Sequence, residues 1–469
     1  MNAARYAPLE ASHLAELRSM FTAAQLLTDH GSLERYGHDE TEDLVFLPEA
    51  VFIPHTTSEV SQMLAWCSVH LVPVVARGAG TGLSGGALPV FGGIILSFEK
   101  MNQLLNLDER NQQATVQPGM ITEVFMKLVE EKELYYPVDP ASKGSCYLGG
   151  NVANCSGGPR VVKYGSIREY VLNLEVVLAD GTVIWTGANT IKYASGYNLT
   201  QLMIGSEGTL GIVTAMVLKL IPRPKTNILL MAAFTEAEAA CQAVAAIFRN
   251  GFSPSALEFM EREAVDWVVK YENIRFQPDP TAAAYLLIEL DGSAVETLLV
   301  ESELLAEVIY AAGSHDIMLA DTAAQKEEWW ILRRKMAESV KAHSVYKEED
   351  TVVPRGELAR LLAGIKEIGR EYNFRSVCYG HAGDGNMHVN IIRGEMSDVE
   401  WNTHLPEGIK KIFALTVALG GTLSGEHGIG WVQKDYMAIK FDQVNINLMK
   451  GIKQVFDPLC ILNPGKIFN

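Results

Sequence analysis

Four residues in the C-terminal part of the chain have the types and spacing for metal and proton chemistry. In SVCYGHAGDGNMHVNII (376–392), Asp384-Gly385 reads as a two-residue type I′ turn between β-forming residues. About such a turn His381 lies directly across from His388, and opposed residues share a sheet face with Cβ atoms about 4.5–5.5 Å apart. Two neutral imidazoles so placed can chelate one cation, and Asn390, two residues on, shares their face. A third ligand stands in GGTLSGEHGIG (420–430), where Glu426 and His427 are the only ionisable side chains. Two histidines and a carboxylate suit zinc, manganese or iron. A lone histidine on a strand is more often a satisfied core residue. Two opposed histidines with an isolated Glu-His favour the metal.

A cationic anchor sits upstream, in the helical run EEWWILRRKMAESV. At 100° per residue, Trp329, Leu332, Met336 and Val340 form one apolar face, with Arg333 on its edge and Arg334 turned away. An inward arginine needs an anion. That anion is either a substrate carboxylate held by the guanidinium fork or a protein acid in a buried ion pair.

Glycine is concentrated where these groups lie and in three further places. Five windows (78–93, 144–165, 196–211, 380–385 and 420–430) hold 25 of the 40 glycines. Clustered glycine marks backbone that comes very close to something. Gly80, Gly82 and Gly85 satisfy GxGxxG, but a Rossmann fingerprint needs a helix directly after the turn, and ALPVFGGIILSF predicts a strand. What remains is a strand–glycine loop–strand whose successive N–H groups can form an anion site. With similar clusters at 144–165 and 196–211, one long ligand laid across several loops is expected.

The elements that must position these groups follow from the patterning. Residues 1–45 read as polar and helical; from 46 short apolar runs spaced by turns predict strands, with helices near 57–69 and 121–133, giving an α+β domain to about 222. Pro222 and Pro224 mark a boundary, after which strands such as 228–234 and 284–290 alternate with helices at 235–249, 294–312 and 324–342. The formal charge of −17 argues against a nucleic-acid binder. The uncharged run 78–98 carries seven glycines and reads as loop and strand, so no membrane span is expected. With Arg5, Glu10 and Glu16 the opening residues lack a secretory signal, and a cytoplasmic location is the expectation. The six cysteines include no CxxC pair, so no zinc ribbon or iron–sulfur relay is expected.

The segments PVVARGAGTGLSGG (73–86), VDPASKGSCYLGGNVANCSGG (138–158) and GSEGTLGIVT (205–214), with the two histidine segments, resemble the vanillyl-alcohol-oxidase-type flavoproteins. Within them the chain is similar to the D-2-hydroxyacid dehydrogenase branch, over roughly residues 45–469: D-lactate dehydrogenase, the flavin subunit of glycolate oxidase and D-2-hydroxyglutarate dehydrogenase. The resemblance implies an N-terminal helical segment 1–45, a PCMH-type FAD-binding domain 46–223, a substrate- and metal-binding cap domain with an antiparallel sheet 224–455, and a tail 456–469 returning to the FAD domain. It implies that Arg77, Gly78, Ala79, Gly80, Thr81, Gly82, Ser84 and Gly85 hold FAD. Pro140, Ser142, Ser145, Gly149, Gly150, Asn151, Asn154, Gly157 and Gly158 join them, and Glu207, Ile212 and Asn463 close the site. The first loop has no histidine, so FAD is expected to be non-covalent.

By the same resemblance His381, His388 and Glu426 are the ligands of a divalent metal, zinc or manganese, and His427 is the catalytic base. Arg333 and Asn390 contact substrate. Lys347 corresponds to a substrate lysine of the hydroxyglutarate enzymes, although YKEEDTVVP is one residue out of step, and Ala337 stands where those enzymes have threonine. The implied reaction is oxidation of a D-2-hydroxy acid, D-lactate or glycolate first, by hydride transfer to flavin N5. Electrons then leave to an electron-transfer flavoprotein, a partner subunit or a quinone, and a homodimer is among the expected assemblies. The rival from another class is a two-His-one-carboxylate oxygenase or hydrolase, which leaves the three glycine clusters at 78–93, 144–165 and 196–211 without a role.

Overall fold

The structure, a computed structural model, describes residues 6–469; Arg5 and the residues before it lie outside the described residues. The chain forms two compact units. The first comprises the chain up to Gly157, Ser166–Arg223 and Glu426–Asn469, and the second comprises Gly158–Gly165 and Pro224–Gly425.

In the first unit, β1 (Val74–Arg77) and β2 (Ile94–Ser97) pair in parallel, with Val74 opposite Ile94 and Arg77 opposite Ser97. The glycine loop 78–93 joins them with no helix between. Ala50–Phe52 flanks β2 and Leu26–Leu27 completes this four-stranded sheet. The helix Thr57–His70 starts at a capping box, in which Thr56 Oγ accepts the Glu59 N–H at 3.2 Å and the Glu59 carboxylate accepts the Thr56 N–H at 3.3 Å. It sends Val60, Met63, Leu64 and Cys67 into a core shared with Leu17, Phe52, Ile94, Ile461 and Leu462. A separate five-stranded antiparallel sheet runs in the order 104–108, 113–116, 212–219, 171–177, 183–185.

The second unit is built on one antiparallel sheet of seven strands: β3 (Thr226–Phe234), β4 (Ala256–Glu261), β5 (Ala284–Gly292), β6 (Ser314–Leu319), β7 (Tyr346–Val352), β8 (Arg375–Gly380) and β9 (Asn386–Ile392), in the order β6-β3-β5-β4-β8-β9-β7. Helices α1 (Arg262–Glu272), α2 (Ala323–Arg334) and α3 (Met336–His343) cover one face, packing Val265, Val268, Trp329, Leu332, Met336 and Val340 on Met260, Tyr285, Leu287 and Tyr379. Side-chain alternation sends Glu261 and Cys378 to the other face, where Lys366 of the helix Leu358–Glu371 donates to Glu261 at 2.8 Å.

Three sequence expectations change here. The helix expected over 324–342 breaks at Lys335 (φ −89°, ψ 5°), which puts Arg333 in the last turn of α2. The hairpin is not a two-residue type I′ turn, because that turn needs two positive φ angles and only Gly385 of the pair has one (+88°). Residues 382–384 make a 3₁₀ turn instead, the His381 carbonyl accepting the N–H groups of Asp384 (3.2 Å) and Asn386 (3.1 Å). Tyr379, not His381, therefore stands across from His388. A slip of two residues keeps the face, and the His381 and His388 rings still lie 5.5 Å apart.

The third change is the return to the first unit, which begins at Glu426 rather than 456. Glu207 accepts the N–H groups of Ile429 (2.8 Å) and Gly430 (2.7 Å), fastening this segment well before the tail. In the helix Gln443–Phe456, buried Lys453 donates to the carbonyls of Thr209 (2.6 Å) and Leu462 (2.8 Å) and pairs with buried Asp457. Asp457→Ala leaves that ammonium without its carboxylate, and a loss of about 3–5 kcal/mol is expected. The measurement is a urea unfolding curve; an unchanged midpoint overturns the clamp.

Candidate active site

Two adjoining cavities of the first unit share Ala76, Gly78, Gly150, Ala153 and Gly208. The first is lined by Gly78, Ala79, Gly80, Thr81, Gly82, Pro140, Ser142, Gly150, Asn151, Asn154 and Glu207, and also by Glu426 and His427. Arg77, Gly149 and Ile212 line the second. Among the described residues, none of the seven consecutive backbone N–H groups from Gly78 to Ser84 donates to an acceptor of the protein. Such a run of open donors is an anion cradle. Gly80 makes it possible: its φ is +78°, and a Cβ there would lie 2.2 Å from Nη2 of Arg77. Arg77 is buried beneath the loop, and its Nη1 has no partner among the described residues.

Six expected flavin contacts, Ser84, Gly85, Ser145, Gly157, Gly158 and Asn463, do not line either cavity. Most are used by the protein itself. The Ser84 hydroxyl donates to the His427 carbonyl (3.0 Å), the Gly85 N–H donates to Thr41 Oγ (2.6 Å), and the Ser145 hydroxyl donates to the Ser142 carbonyl (3.2 Å). Asn463 Nδ2 donates to the carbonyls of Gly86 (2.9 Å) and Glu207 (2.7 Å), while its Oδ1 accepts Lys466 Nζ (3.1 Å). Gly157 ends a segment of the first unit and Gly158 opens the second. Tyr147, absent from the expected set, lines the first cavity, with its Cβ 3.6 Å from where a Cβ on Gly78 would stand. An aromatic residue inside a glycine cluster, two positions before Gly149-Gly150, was the available signal.

The segment carrying Glu426 and His427 is fixed by its backbone. The His427 carbonyl accepts from Ser84 Oγ and from Asn154 Nδ2 (3.1 Å), so both residues stand at the first cavity. Burial pushes the Glu207 carboxyl up, and the two N–H donors of Ile429 and Gly430 hold it back.

The second unit gathers its polar groups on the sheet face beneath α1–α3. Met260 pairs with Tyr379, Tyr379 with His388, and on β7 Asp350 with His388 and Glu348 with Asn390. Alternation puts Glu258 on this face too. His381 Nδ1 lies 2.8 Å and 3.0 Å from the two Glu258 oxygens, and Arg333 Nε lies 2.7 Å from Glu258 Oε2. The arginine thus has the protein acid that the apolar wheel allowed for, and its guanidinium lies over the Tyr379 ring at 5.2 Å. Burial would push the Glu258 carboxyl up, but His381 and Arg333 bring it below its usual range. His388 Nδ1 lies 3.2 Å from Glu348 Oε1. Asn390 is fully buried, and neither of its amide atoms has a partner among the described residues. Lys347 corrects an expectation: it pairs with Ile391, on the opposite sheet face from His388 and Asn390, and its ammonium lies over Trp401 at 5.1 Å. Glu258 was not among the expected residues, though an acid within the buried run ALEFME was legible as an oddity.

Comparison with known proteins gives two family matches: FAD linked oxidases, C-terminal domain, over residues 223–467, and FAD binding domain over 48–187. The chain is 41% identical over 443 residues to the glycolate oxidase subunit GlcD of Bacillus subtilis (strain 168), covering 92% of each. It is 40% identical over 425 residues to D-lactate dehydrogenase of Anaerostipes hadrus, covering 90% of this chain and 89% of the relative. It is 33% identical over 456 residues to D-2-hydroxyglutarate dehydrogenase of Stutzerimonas stutzeri (strain A1501), covering 97% and 98%. In fold it matches p-cresol methylhydroxylase (TM-score 0.77, 18% identity, 98% and 97% covered) and 4-ethylphenol oxidase from Gulosibacter chungangensis (TM-score 0.77, 17% identity, 98% of each).

Lys466, which donates to Leu88 O (2.6 Å) and Asn463, has its pKa pushed down to about 7 by burial. Above about pH 7 the native state has released this proton, while the unfolded chain holds it up to about pH 10.4. The unfolded state then binds more protons, so this lysine's contribution to stability rises with pH across that window. Lys466→Met should flatten the rise. Melting temperatures of both proteins across the window check this, and parallel profiles overturn it.

Proposed function

The chain belongs to the FAD-linked D-2-hydroxyacid dehydrogenases of the vanillyl-alcohol-oxidase type, and from that premise we propose that it oxidises a short D-2-hydroxy acid, D-lactate or glycolate, to the 2-oxo acid. The observation that carries the choice is the buried face of the second unit, where Arg333, His381, His388 and the unpartnered amide of Asn390 share one side of the sheet. A buried amide left without partners costs roughly 1–3 kcal/mol per group, a cost that a ligand hydrogen-bonding to it removes.

The residues present fit both implied groups. For FAD, the open N–H run from Gly78 to Ser84 suits a pyrophosphate, and a Cβ on Gly150 would meet nothing within 4 Å, which leaves room along the cavity wall. The loop 78–86 has no histidine, which supports non-covalent binding. For a divalent cation, zinc or manganese, His381 and His388 each have Nδ1 against a carboxylate, which favours the opposite ring nitrogen as ligand. Glu426 follows Gly425, whose N–H donates to Asp350 Oδ2 at 2.8 Å, and Asp350 pairs with His388, so chain connectivity supports Glu426 as the third ligand.

Bound FAD supplies the acceptor for the C2 hydride, and a bound metal supplies a Lewis acid for the 2-hydroxyl. Arg333, ion-paired with Glu258, offers its guanidinium to the substrate carboxylate. Asn390 offers a donor and an acceptor. His427, its carbonyl pinned by Ser84 and Asn154, takes the hydroxyl proton as general base. Lys347 lies on the far sheet face, away from Asn390, so it does not offer its ammonium to a distal carboxylate there, which favours lactate and glycolate over 2-hydroxyglutarate. Relatives named as oxidase subunits support a protein acceptor, such as an electron-transfer flavoprotein or partner subunit, with a quinone as the other route.

A dye-reduction panel of D-lactate, glycolate, D-2-hydroxyglutarate and D-malate tests the reading. Flavin bleaching with the first two is expected, and an oxidised flavin unmoved by every acid sinks it. His388→Ala should lose bound metal and turnover while keeping the flavin absorbance band. Retained metal with near-normal turnover would make the hairpin histidines structural.

A further inference from the structure

We infer that Glu258 is a positioning residue of this site, one buried carboxylate that fixes the ring tautomer of His381 and the aim of Arg333 together. The inference rests on the reading of His381 as a metal ligand and Arg333 as the carboxylate anchor.

Glu258 lies in the middle of β4 and is fully buried. Both of its oxygens face His381 Nδ1, at 3.0 Å and 2.8 Å, and Oε2 also faces Arg333 Nε at 2.7 Å. An ionised carboxylate only accepts hydrogen bonds, so Nδ1 of His381 must carry a proton, and the lone pair of the neutral ring sits on Nε2. The same carboxylate forms an ion pair with Arg333, Nε lying 2.7 Å from Oε2 without an aligned hydrogen bond, while Nη2 lies 3.5 Å from His381 Nδ1 and the guanidinium lies over the Tyr379 ring at 5.2 Å. Charge pairing with Glu258 and the Tyr379 ring together restrict where the guanidinium can lie, and so bear on how it meets a substrate carboxylate.

His388 faces a different carboxylate, Glu348, at 3.2 Å. The two acids therefore differ in what they govern. Glu348 bears on the proposed ligand His388. Glu258 bears on ligand and anchor, so it joins metal retention to substrate affinity through one side chain.

The test uses the full-length, flavin-loaded protein with Glu258→Gln, Glu258→Asp and Glu348→Gln. Zinc affinity is measured by equilibrium dialysis, KM and kcat for D-lactate at saturating zinc, and His381 tautomer by ¹⁵N NMR of histidine-labelled, metal-free protein. Glu258→Gln should weaken zinc binding roughly 10- to 100-fold, raise KM more than it lowers kcat, and remove the Nδ1–H signature of His381. Glu258→Asp, which keeps the charge, should recover the tautomer. Glu348→Gln should weaken zinc without raising KM once zinc saturates. Wild-type zinc affinity and KM in Glu258→Gln, or an unchanged His381 tautomer, overturn the inference. Wild-type protein that takes up no zinc and oxidises no D-2-hydroxy acid sinks the functional reading instead, and the NMR comparison, made without metal or substrate, still decides whether Glu258 sets the tautomer.

Discussion

A carboxylate taken out of water must be met by cations or N–H donors, and this chain places that requirement at each point where precision matters. Glu258 holds His381 and Arg333. Glu289, nearly as buried, accepts from Arg160 (3.0 Å), Trp330 Nε1 (2.9 Å) and Ser255 (3.2 Å), which ties the short segment 158–165 to the sheet of the second unit. Glu207 gathers two backbone N–H groups of the 426–430 segment, and Asp350 gathers Asn386, Ser424 and the Gly425 N–H. A chain with a formal charge of −17 thus uses part of its acidity as internal scaffolding, in directional contacts that apolar packing would not supply.

Much of the candidate site was legible because the residue types proposed for its chemistry stand out locally. Two histidines around a Gly-Asp-Gly turn, an isolated Glu-His, and glycines crowded into five windows need no tertiary knowledge to be noticed. The wheel through Trp329, Leu332 and Met336 correctly turned Arg333 inward and Arg334 outward, because helical period is a local property. What the sequence withheld was partner identity. Whether Asn463 faces a ligand or the carbonyls of Gly86 and Glu207 depends on a contact spanning most of the chain. The turn after Gly380 depended on which carbonyl would close it, and Lys347 on a strand register that its own neighbours do not reveal.

The face that carries His388 and Asn390 also carries Glu348 and Asp350, so negative charge surrounds the histidines on the sheet itself. On the function proposed above, an anionic ligand would bind there where Arg333 and a divalent cation reverse the local sign, which would confine favourable binding to one end of a small acid.

The interrupted course of the first unit also has a meaning for how the chain is made. Its core packs Leu17 against Ile461 and Leu462, and β1 hydrogen-bonds to the tail through the Val74 N–H to Ile461 O (2.8 Å) and the Asn463 N–H to Val74 O (2.7 Å). During synthesis every residue of the second unit emerges before those partners do. The second unit can complete its sheet while the first still waits, with its apolar strands unsatisfied, for residues 461–463. Loss of Ile461, Leu462 and Asn463 would therefore reach the N-terminal core directly.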